Sequence, residues 1–255
     1  MIDLQHITKR YGAKLAVDDL NLTVARGELF AFLGPNGAGK TTTIKLMCGL
    51  LFPESGTIRI AGFDLVTQGD QARQRISYVP DQPFLYEKLT GREVLNFIGD
   101  MYGMPGPHKQ KQIARMIEVF SLGAFVDDLT ERYSHGMRQR TVFASALLHE
   151  PEVLIVDEPT VGLDPRSVRM LKDLLRSEAN NGTTVFLSTH SLDVAQELSD
   201  RIGVVFQGKL IALGTLADLR AHTALNGSLE EVFLKLTEES TETGIKAAPE
   251  TAIKE

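Results

Sequence analysis

The sequence predicts an α/β fold: a mixed, largely buried β-sheet core, an antiparallel β subdomain at one edge and an inserted helical lobe. Three observations carry this. Apolar runs of strand length alternate with amphipathic stretches of helical length. Two of the runs, ELFAFLG at 28–34 and VLIVDEP at 153–159, are almost continuously apolar, as strands covered on both faces are. From about Thr90 to His149 helical periods continue with no good strand, divided by loop signals such as GMPGP at 103–107.

The elements follow in order. IDLQHIT (2–8) and LAVDDLNLTV (15–24) alternate in strand fashion around a turn at Tyr11-Gly12, and predict an antiparallel hairpin. ELFAFLG is the first central strand, followed by a Gly-rich loop and the helix-like KTTTIKLMCGLL. TIRI (57–60) and RISYVP (75–80) are short strands, the second stopped by Pro80. After the helical lobe, VLIVDEP and TTVFLSTH (183–190) restore buried strands around a helix from about Arg166 to Ala179. IGVVFQ (202–207) and KLIALG (209–214) predict a closing hairpin at Gly208. SLEEVFLKLTEE (228–239) predicts a last helix, and the tail beyond it carries little that can pack, so mobility is expected.

Composition excludes several classes. The 255 residues are 43% apolar and 24% charged, enough for a real core and unlike a disordered or collagenous chain. A single cysteine, Cys48, rules out an internal disulfide and a cysteine-based zinc site. The first residues, MIDLQHITKR, lack the basic and apolar regions of a secretory signal, and no apolar run approaches the roughly 20 residues of a membrane helix. A net charge of -6 argues against general nucleic-acid binding, and no nucleic-acid partner is expected.

The strongest chemical signal is Gly34-Pro35-Asn36-Gly37-Ala38-Gly39-Lys40-Thr41, which fits G-x-x-x-x-G-K-[ST] between a predicted buried strand and a predicted helix. Glycines let successive backbone N–H groups turn inward on phosphate oxygens, and the helix that follows presents its positive end to the same anion. Lys40 reaches the outer phosphates, and the Thr41 hydroxyl is a Mg²⁺ ligand. The core is thus a P-loop NTPase core, with Thr42 closing the candidate nucleotide-binding segment.

The strand VLIV then ends in Asp157-Glu158. A carboxylate pair at a buried strand's end is costly unless it meets a cation, which Mg²⁺ supplies. In P-loop enzymes the first acid is metal-associated and an adjacent one prepares the attacking water. Asp157 takes the first role and Glu158 that of general base. A third segment, Tyr133-Ser134-His135-Gly136-Met137-Arg138-Gln139-Arg140, opens a helix with Ser134 as natural N-cap, which is both a capped helix and an anion-binding surface.

Together these segments resemble the nucleotide-binding subunit of an ATP-binding cassette (ABC) transporter, over about residues 2–237. GPNGAGKT resembles Walker A, VLIVDE Walker B, YSHGM the signature usually written LSGGQ, VGLD (161–164) the D-loop, and STH, ending at His190, the switch histidine. The resemblance implies one ATPase domain, with an ATP-binding core at 2–82 and 150–215 and a helical lobe at 83–149. A C-terminal helical extension at 216–237 and a mobile tail at 238–255 follow. It implies that Tyr11 stacks on adenine and that Ser134 and Gly136 bind the γ-phosphate held by a second ABC ATPase subunit, in a homodimer. Ser134, His135, Gly136 and Asp164 then lie at the dimer interface, and His190 contacts the γ-phosphate. ATP and Mg²⁺ are the cofactors implied.

Two departures from the family pattern stand out. Tyr133 and His135 replace Leu and the first glycine of the signature, so the backbone at 135 cannot need a glycine-only conformation. In the segment ISYVPDQPFLYEKLT, which resembles the Q-loop, Asp81 occupies the slot after Pro80 and Gln82 follows. Gln82 is the candidate catalytic and metal-facing residue, with Asp81 left open beside it.

The resemblance implies that ATP binding and hydrolysis at a dimer interface drive a separate integral membrane permease. It also implies a peripheral location on the cytoplasmic face of the membrane. GMRQR, the acidic PDQP segment and SLEEVFLKLT are similar to ATPases of ABC-2-type exporters, which implies export. Pro83, Phe84, Leu85 and Tyr86 form either a permease-docking patch or core. The rival reading is a soluble ABC ATPase acting in translation or DNA maintenance. Another is a P-loop switch protein, against which Glu158 argues.

Overall fold

The computed structural model describes residues 1–160, 164–223 and 228–245. The chain begins with β1 (Ile2–Tyr11) and β2 (Lys14–Val24), paired antiparallel and reversed at Gly12, whose φ is 57°. β3 (Leu29–Leu33) is buried at every position and leads through the Gly-rich loop into α1 (Lys40–Met47). β4 (Ser55–Ile60) returns to pair with β1, and β5 (Phe63–Asp64) with β4. After α2 (Gly69–Arg73), β6 (Ile76–Val79) precedes the helical lobe of α3 (Gly91–Met101), α4 (Gly106–Val119), a 3₁₀ turn at Thr130–Arg132 and α5 (His135–Leu147). β7 (Val153–Asp157), α6 (Pro165–Asn180), β8 (Thr184–Thr189), α7 (Leu192–Leu198) and the hairpin β9 (Arg201–Phe206) and β10 (Lys209–Gly214) complete the core. α8 (Leu216–Thr223) and α9 (Leu229–Ile245) follow.

Two sheets result. A four-stranded antiparallel sheet has the order β2-β1-β4-β5, and a six-stranded mixed sheet has the order β10-β9-β3-β8-β7-β6. In the larger sheet β6, β7, β8, β3 and β9 run parallel, and only β10 is antiparallel to its neighbour. Such a sheet must be covered on both faces, which explains the unbroken apolar runs. Alternate residues of β7 go to opposite sides: Leu154 and Val156 pack with the helical lobe, and Val153 and Ile155 with α1 and the antiparallel sheet. On the second face Phe186 sits between Phe30 and Phe32, with ring centroids 5.6 and 5.3 Å away. Burying each such side chain contributes about 1.5–3 kcal/mol. α7, α8 and α9 cover a third cluster through Ala195, Leu219, Leu229, Val232 and Leu236.

The lobe's start follows from local chemistry. Thr90 caps α3 reciprocally: its hydroxyl accepts from the Glu93 amide, and the Glu93 carboxylate accepts from the Thr90 amide. Tyr133 turns inward, its hydroxyl donating to Phe125 O at 2.8 Å, so its ring is buried with a satisfied polar tip.

The structure departs from the sequence reading at short elements and at the end. β5, α2 and α7 span too few residues for periodicity to register. α9 continues to Ile245, so residues 238–245 of the expected mobile tail are helical. There the hydroxyls of Thr237, Ser240 and Thr241 return to carbonyls one turn earlier, which lets a Ser/Thr-rich segment stay wound. Residues 246–255 lie outside the described residues. Among the described residues no helix is long and apolar enough to cross a membrane.

Candidate functional site

Four parallel strands deliver the predicted chemistry to one end of the larger sheet. Gly34 follows β3, Pro80 and Asp81 follow β6, Asp157 ends β7 with Glu158 after it, and His190 follows β8. The carboxyl ends of parallel strands are where open α/β sheets hold ligands. An open cleft of about 340 Å³ lies there, lined by Tyr11, Lys14, Ala16, Asn36, Gly37, Gly39, Lys40, Thr41, Thr42, Asp81, Asp157 and Glu158.

The loop's shape requires its glycines. Gly39, the N-cap of α1, has φ of 108°, and a Cβ there would stand 2.3 Å from Ala16 O. A Cβ on Gly34 would stand 2.4 Å from Val205 O. The loop is braced by the β9–β10 turn: Gly208 N donates to Ala38 O, and Asp18 N to Gly208 O, each at 2.9 Å. Gln207 and Gly208 both have positive φ, as a tight hairpin of this twist needs. Ala38 is buried, while Asn36 and Gly37 face the cleft.

Lys40 is 6% exposed, with Nζ donating to Gly34 O at 2.7 Å and Pro35 O at 3.3 Å. Glu158 Oε1 lies 3.3 Å from the same ammonium, and Glu158 Oε2 is 2.8 Å from His190 Nδ1 and accepts from the His190 amide at 3.2 Å. Glu158 takes this position with φ of 45°, in the left-handed region that costs a non-glycine residue roughly 1–2 kcal/mol. Its amide donates to Ser188 O at 2.9 Å, which ties the turn to β8. Strain at such a residue is tolerated when the surroundings fix it.

Asp157 is 2% exposed, and burial, first of all, raises its carboxyl above the ordinary range, with Asp81 and Glu158 pushing the same way. Oδ2 accepts from Thr41 Oγ1 at 3.3 Å, whereas Oδ1 and the neighbouring Ser188 hydroxyl are buried with no well-aligned hydrogen bond, the hydroxyl being near enough to hold the carboxyl down in part. Buried polar atoms so poorly paired are costly. A carboxylate and a hydroxyl so placed fit a hard divalent cation that takes its remaining ligands from phosphate and water. Among the described residues no cluster of three His, Cys, Asp or Glu makes an all-protein metal site.

The other predicted residues divide. Tyr11 is at the mouth of the cleft, 49% exposed, with its ring free to stack. Ser134, His135, Gly136 and Asp164 do not line this cleft. Ser134 caps α5, accepting from Met137 N at 3.3 Å, and His135 begins that helix without a positive φ, so the missing signature glycine is not needed for the backbone. Asp164 caps α6, accepting from the amides of Arg166 and Ser167; Val161 to Leu163, the rest of the D-loop segment, lie outside the described residues. Gln82 does not line the cleft either, in contrast to its expected metal-facing place: its backbone amide donates to Asp81 Oδ1 at 2.8 Å, and Asp81 forms the wall. Sequence reasoning missed Lys14 and Ala16, brought in by the β1–β2 hairpin register, and Ser188, whose hydroxyl gives no signal inside a buried strand.

Comparison with known proteins agrees with this geometry. The ABC transporter family profile matches residues 17–161. The probable multidrug ABC transporter ATP-binding protein YbhF of Escherichia coli (strain K12) is 41% identical over 240 residues, 92% of this chain and 41% of the relative. The chain therefore spans about two fifths of that relative's length. The linearmycin resistance ATP-binding protein LnrL of Bacillus subtilis (strain 168) is 39% identical over 86% of this chain and 70% of its own. A solved ATP-binding subunit of an ABC transporter superposes with a TM-score of 0.88 at 33% identity, covering 93% of this chain and 99% of that one. A dimeric ATP-binding cassette, solved in a post-hydrolysis state with ADP and Pi, superposes with a TM-score of 0.76 at 27% identity, covering 85% and 99%. Relatives of this kind do not favour a soluble ATPase of translation or DNA maintenance. A phosphate loop, an acidic strand end and a capped signature helix in this order and on this fold, with the profile match and these relatives, mean that the chain belongs to the ABC transporter family.

Proposed function

We propose that this chain drives export through a separate membrane permease, with two copies closing head to tail on two ATP molecules at the cytoplasmic face of the membrane. The observation that carries the reading is the division of the site. Tyr11, the phosphate loop, Asp157 and Glu158 share one cleft, while Ser134 and Gly136 at the start of α5 stay out of it. A second copy supplies that helix start, and the related cassette solved as a dimer supports the arrangement. The export direction is supported by the relatives, named for multidrug and linearmycin resistance.

In this reading Tyr11 stacks on the base, the loop amides and Lys40 hold the phosphates, and Thr41 and Asp157 hold Mg²⁺. Mg²⁺, when bound, offsets charge on the phosphate oxygens. Glu158 accepts the proton of the attacking water, and His190, 2.8 Å from it, fixes the carboxylate's orientation. Closing and reopening of the pair turns phosphate chemistry into movement.

The permease contact is supported by a groove between core and lobe, lined in part by Tyr78, Pro80, Phe84, Tyr86 and Ile98. Leu85 is buried, but Phe84 and Tyr86 are 72% and 52% exposed and meet edge to face at 5.7 Å, so the patch divides between core and surface. Exposed aromatic pairs beside a groove suit an apolar partner segment. The test is affinity purification from membranes with and without Phe84→Asp. Co-purification of a polytopic membrane protein that the substitution abolishes is expected. Stimulation of ATPase activity by nucleic acid, with no membrane partner, overturns the reading.

A further inference from the structure

The cleft lining holds two cationic side chains, and their situations differ. Lys40 is buried and already held by Gly34 O, Pro35 O and the Glu158 carboxylate. Lys14 is exposed, and among the described residues its ammonium meets no carboxylate and no hydrogen-bond acceptor. Strand register brings it to the cleft: Tyr11 and Lys14 flank the turn at Gly12-Ala13 and are paired directly across β1 and β2. Residues so paired project from one face of a hairpin, with Cβ atoms about 4.5–5.5 Å apart. Both side chains line the cleft, beside Ala16 from the same strand. An uncommitted ammonium thus stands next to the aromatic ring read as the platform for the base.

An ammonium offers three donors and no acceptor. Adenine and guanine both carry the N7 acceptor, but beside it guanine has the O6 acceptor and adenine the N6 amino donor. A lysine that serves this edge therefore favours guanine and meets a like donor on adenine. We propose that Lys14 is a specificity-determining residue that reads the base, and that it opens the cleft to guanine nucleotides alongside adenine ones. The inference rests on the nucleotide-binding reading above, with Tyr11 as the stacking ring. Stacking alone is tolerant of base identity, because every base has a π-face. Lys40 and the loop amides act on phosphates, which all these nucleotides share, so they set affinity and not the choice of base. A merely structural role for Lys14 in the hairpin would change affinity for every nucleotide alike.

The experiment is calorimetric titration of ADP, GDP and inosine diphosphate, each with Mg²⁺, into wild type, Lys14→Ala and Lys14→Arg, after thermal melts establish that all three proteins are folded. Inosine keeps O6 and N7 and lacks the exocyclic amine of guanine, so it isolates the edge assigned to Lys14. The quantity read is the dissociation constant of ADP divided by that of GDP. In Lys14→Ala this ratio should fall about fivefold or more through weaker GDP binding, with inosine diphosphate following GDP. In Lys14→Arg, which keeps donors for the same acceptors, it should stay within about twofold of wild type. An equal loss for all three nucleotides assigns Lys14 to the sugar or the phosphates, and an unchanged ratio removes it from base recognition; either result overturns the proposal. Failure of the wild type to bind any of the three overturns instead the nucleotide reading on which it rests.

Discussion

Glu158 and Lys40 neutralise one another across the nucleotide cleft, Oε1 standing 3.3 Å from Nζ. The same ammonium donates to Gly34 O and Pro35 O. Two backbone oxygens and one carboxylate charge thus hold the ammonium before a phosphate arrives, and nucleotide has to compete with them. Removing the charge of Glu158 eases that competition. ADP, which undergoes no hydrolysis here, should therefore bind several-fold tighter to Glu158→Gln than to wild type by calorimetry. Unchanged or weaker ADP binding would mean that the ion pair does not compete with the ligand.

Turnover tests the other role of the same carboxylate. A positioned general base contributes typically 10²–10⁴-fold, so Glu158→Gln should lose about that much steady-state ATPase activity while still binding ATP. His190→Ala should lose less, because it removes the orienting bond at 2.8 Å and leaves the base. Wild-type turnover in Glu158→Gln would remove the base assignment.

Gly136 separates interface from fold. It has no positive φ, and a Cβ built there meets nothing within 4 Å. An aspartate in the first turn of α5 also suits the positive end of the helix. Gly136→Asp should leave the melting of the isolated chain within about 0.5 kcal/mol of wild type. It should abolish the ATP-dependent dimer that light scattering is expected to find for Glu158→Gln, because a carboxylate then meets the partner's γ-phosphate. A dimer that survives places the contact elsewhere.

Most of this site was legible because its parts are local. Gly34 to Thr41 is a strand-loop-helix unit whose chemistry is set within eight consecutive positions, and Ser134 announces its helix by capping it. What is set by register or by a neighbouring strand was not legible. Lys14 reaches the cleft only because the hairpin pairs it with Tyr11, and Ser188 is marked by a buried hydroxyl with no well-aligned hydrogen bond rather than by any pattern. The choice between Asp81 and Gln82 turns on the direction a loop takes after Pro80, which side-chain chemistry does not determine. α9 outran the reading because its serine and threonine hydroxyls bond within the helix, where their composition suggests coil.

The seam between lobe and core should make stability fall in acid. His149 stacks on Tyr102 at 3.5 Å, Tyr102 donates to Ile76 O at 3.2 Å, and both ring nitrogens of His149 are buried with no well-aligned hydrogen bond, the Ile76 carbonyl opposing the effect of burial only in part. Burial pushes the imidazole down from 6.5 to about 4. The unfolded chain therefore takes up this proton first on acidification, and the contribution, whole above pH 6.5, is lost as pH falls toward 4, by up to about 3 kcal/mol at 1.36 kcal/mol per unit. Urea midpoints measured at pH 7 and 4.5 should differ less for His149→Phe, which keeps a ring on Tyr102, than for wild type. Equal differences would assign the acid sensitivity to other groups.

Asp157 should show the opposite balance, between stability and function. Its carboxylate is held almost dry, with Oδ1 lacking a well-aligned hydrogen bond and Asp81 and Glu158 near enough to disfavour its charge. A buried charge that meets hydroxyls but no cation weakens the nucleotide-free fold, and the raised carboxyl is the signature of that cost. Asp157→Asn keeps the shape and the acceptor for the Thr41 hydroxyl while removing the charge. The nucleotide-free variant should melt a few degrees above wild type at neutral pH, at roughly 2–4 °C for each kcal/mol relieved in a chain of this size. The same variant should lose the additional stabilisation that Mg²⁺ with ATP gives the wild type, since ligand binding to the folded state raises its melting point in proportion to affinity. A variant that melts lower than wild type without nucleotide would show that Asp157 is held by partners strong enough to offset its burial.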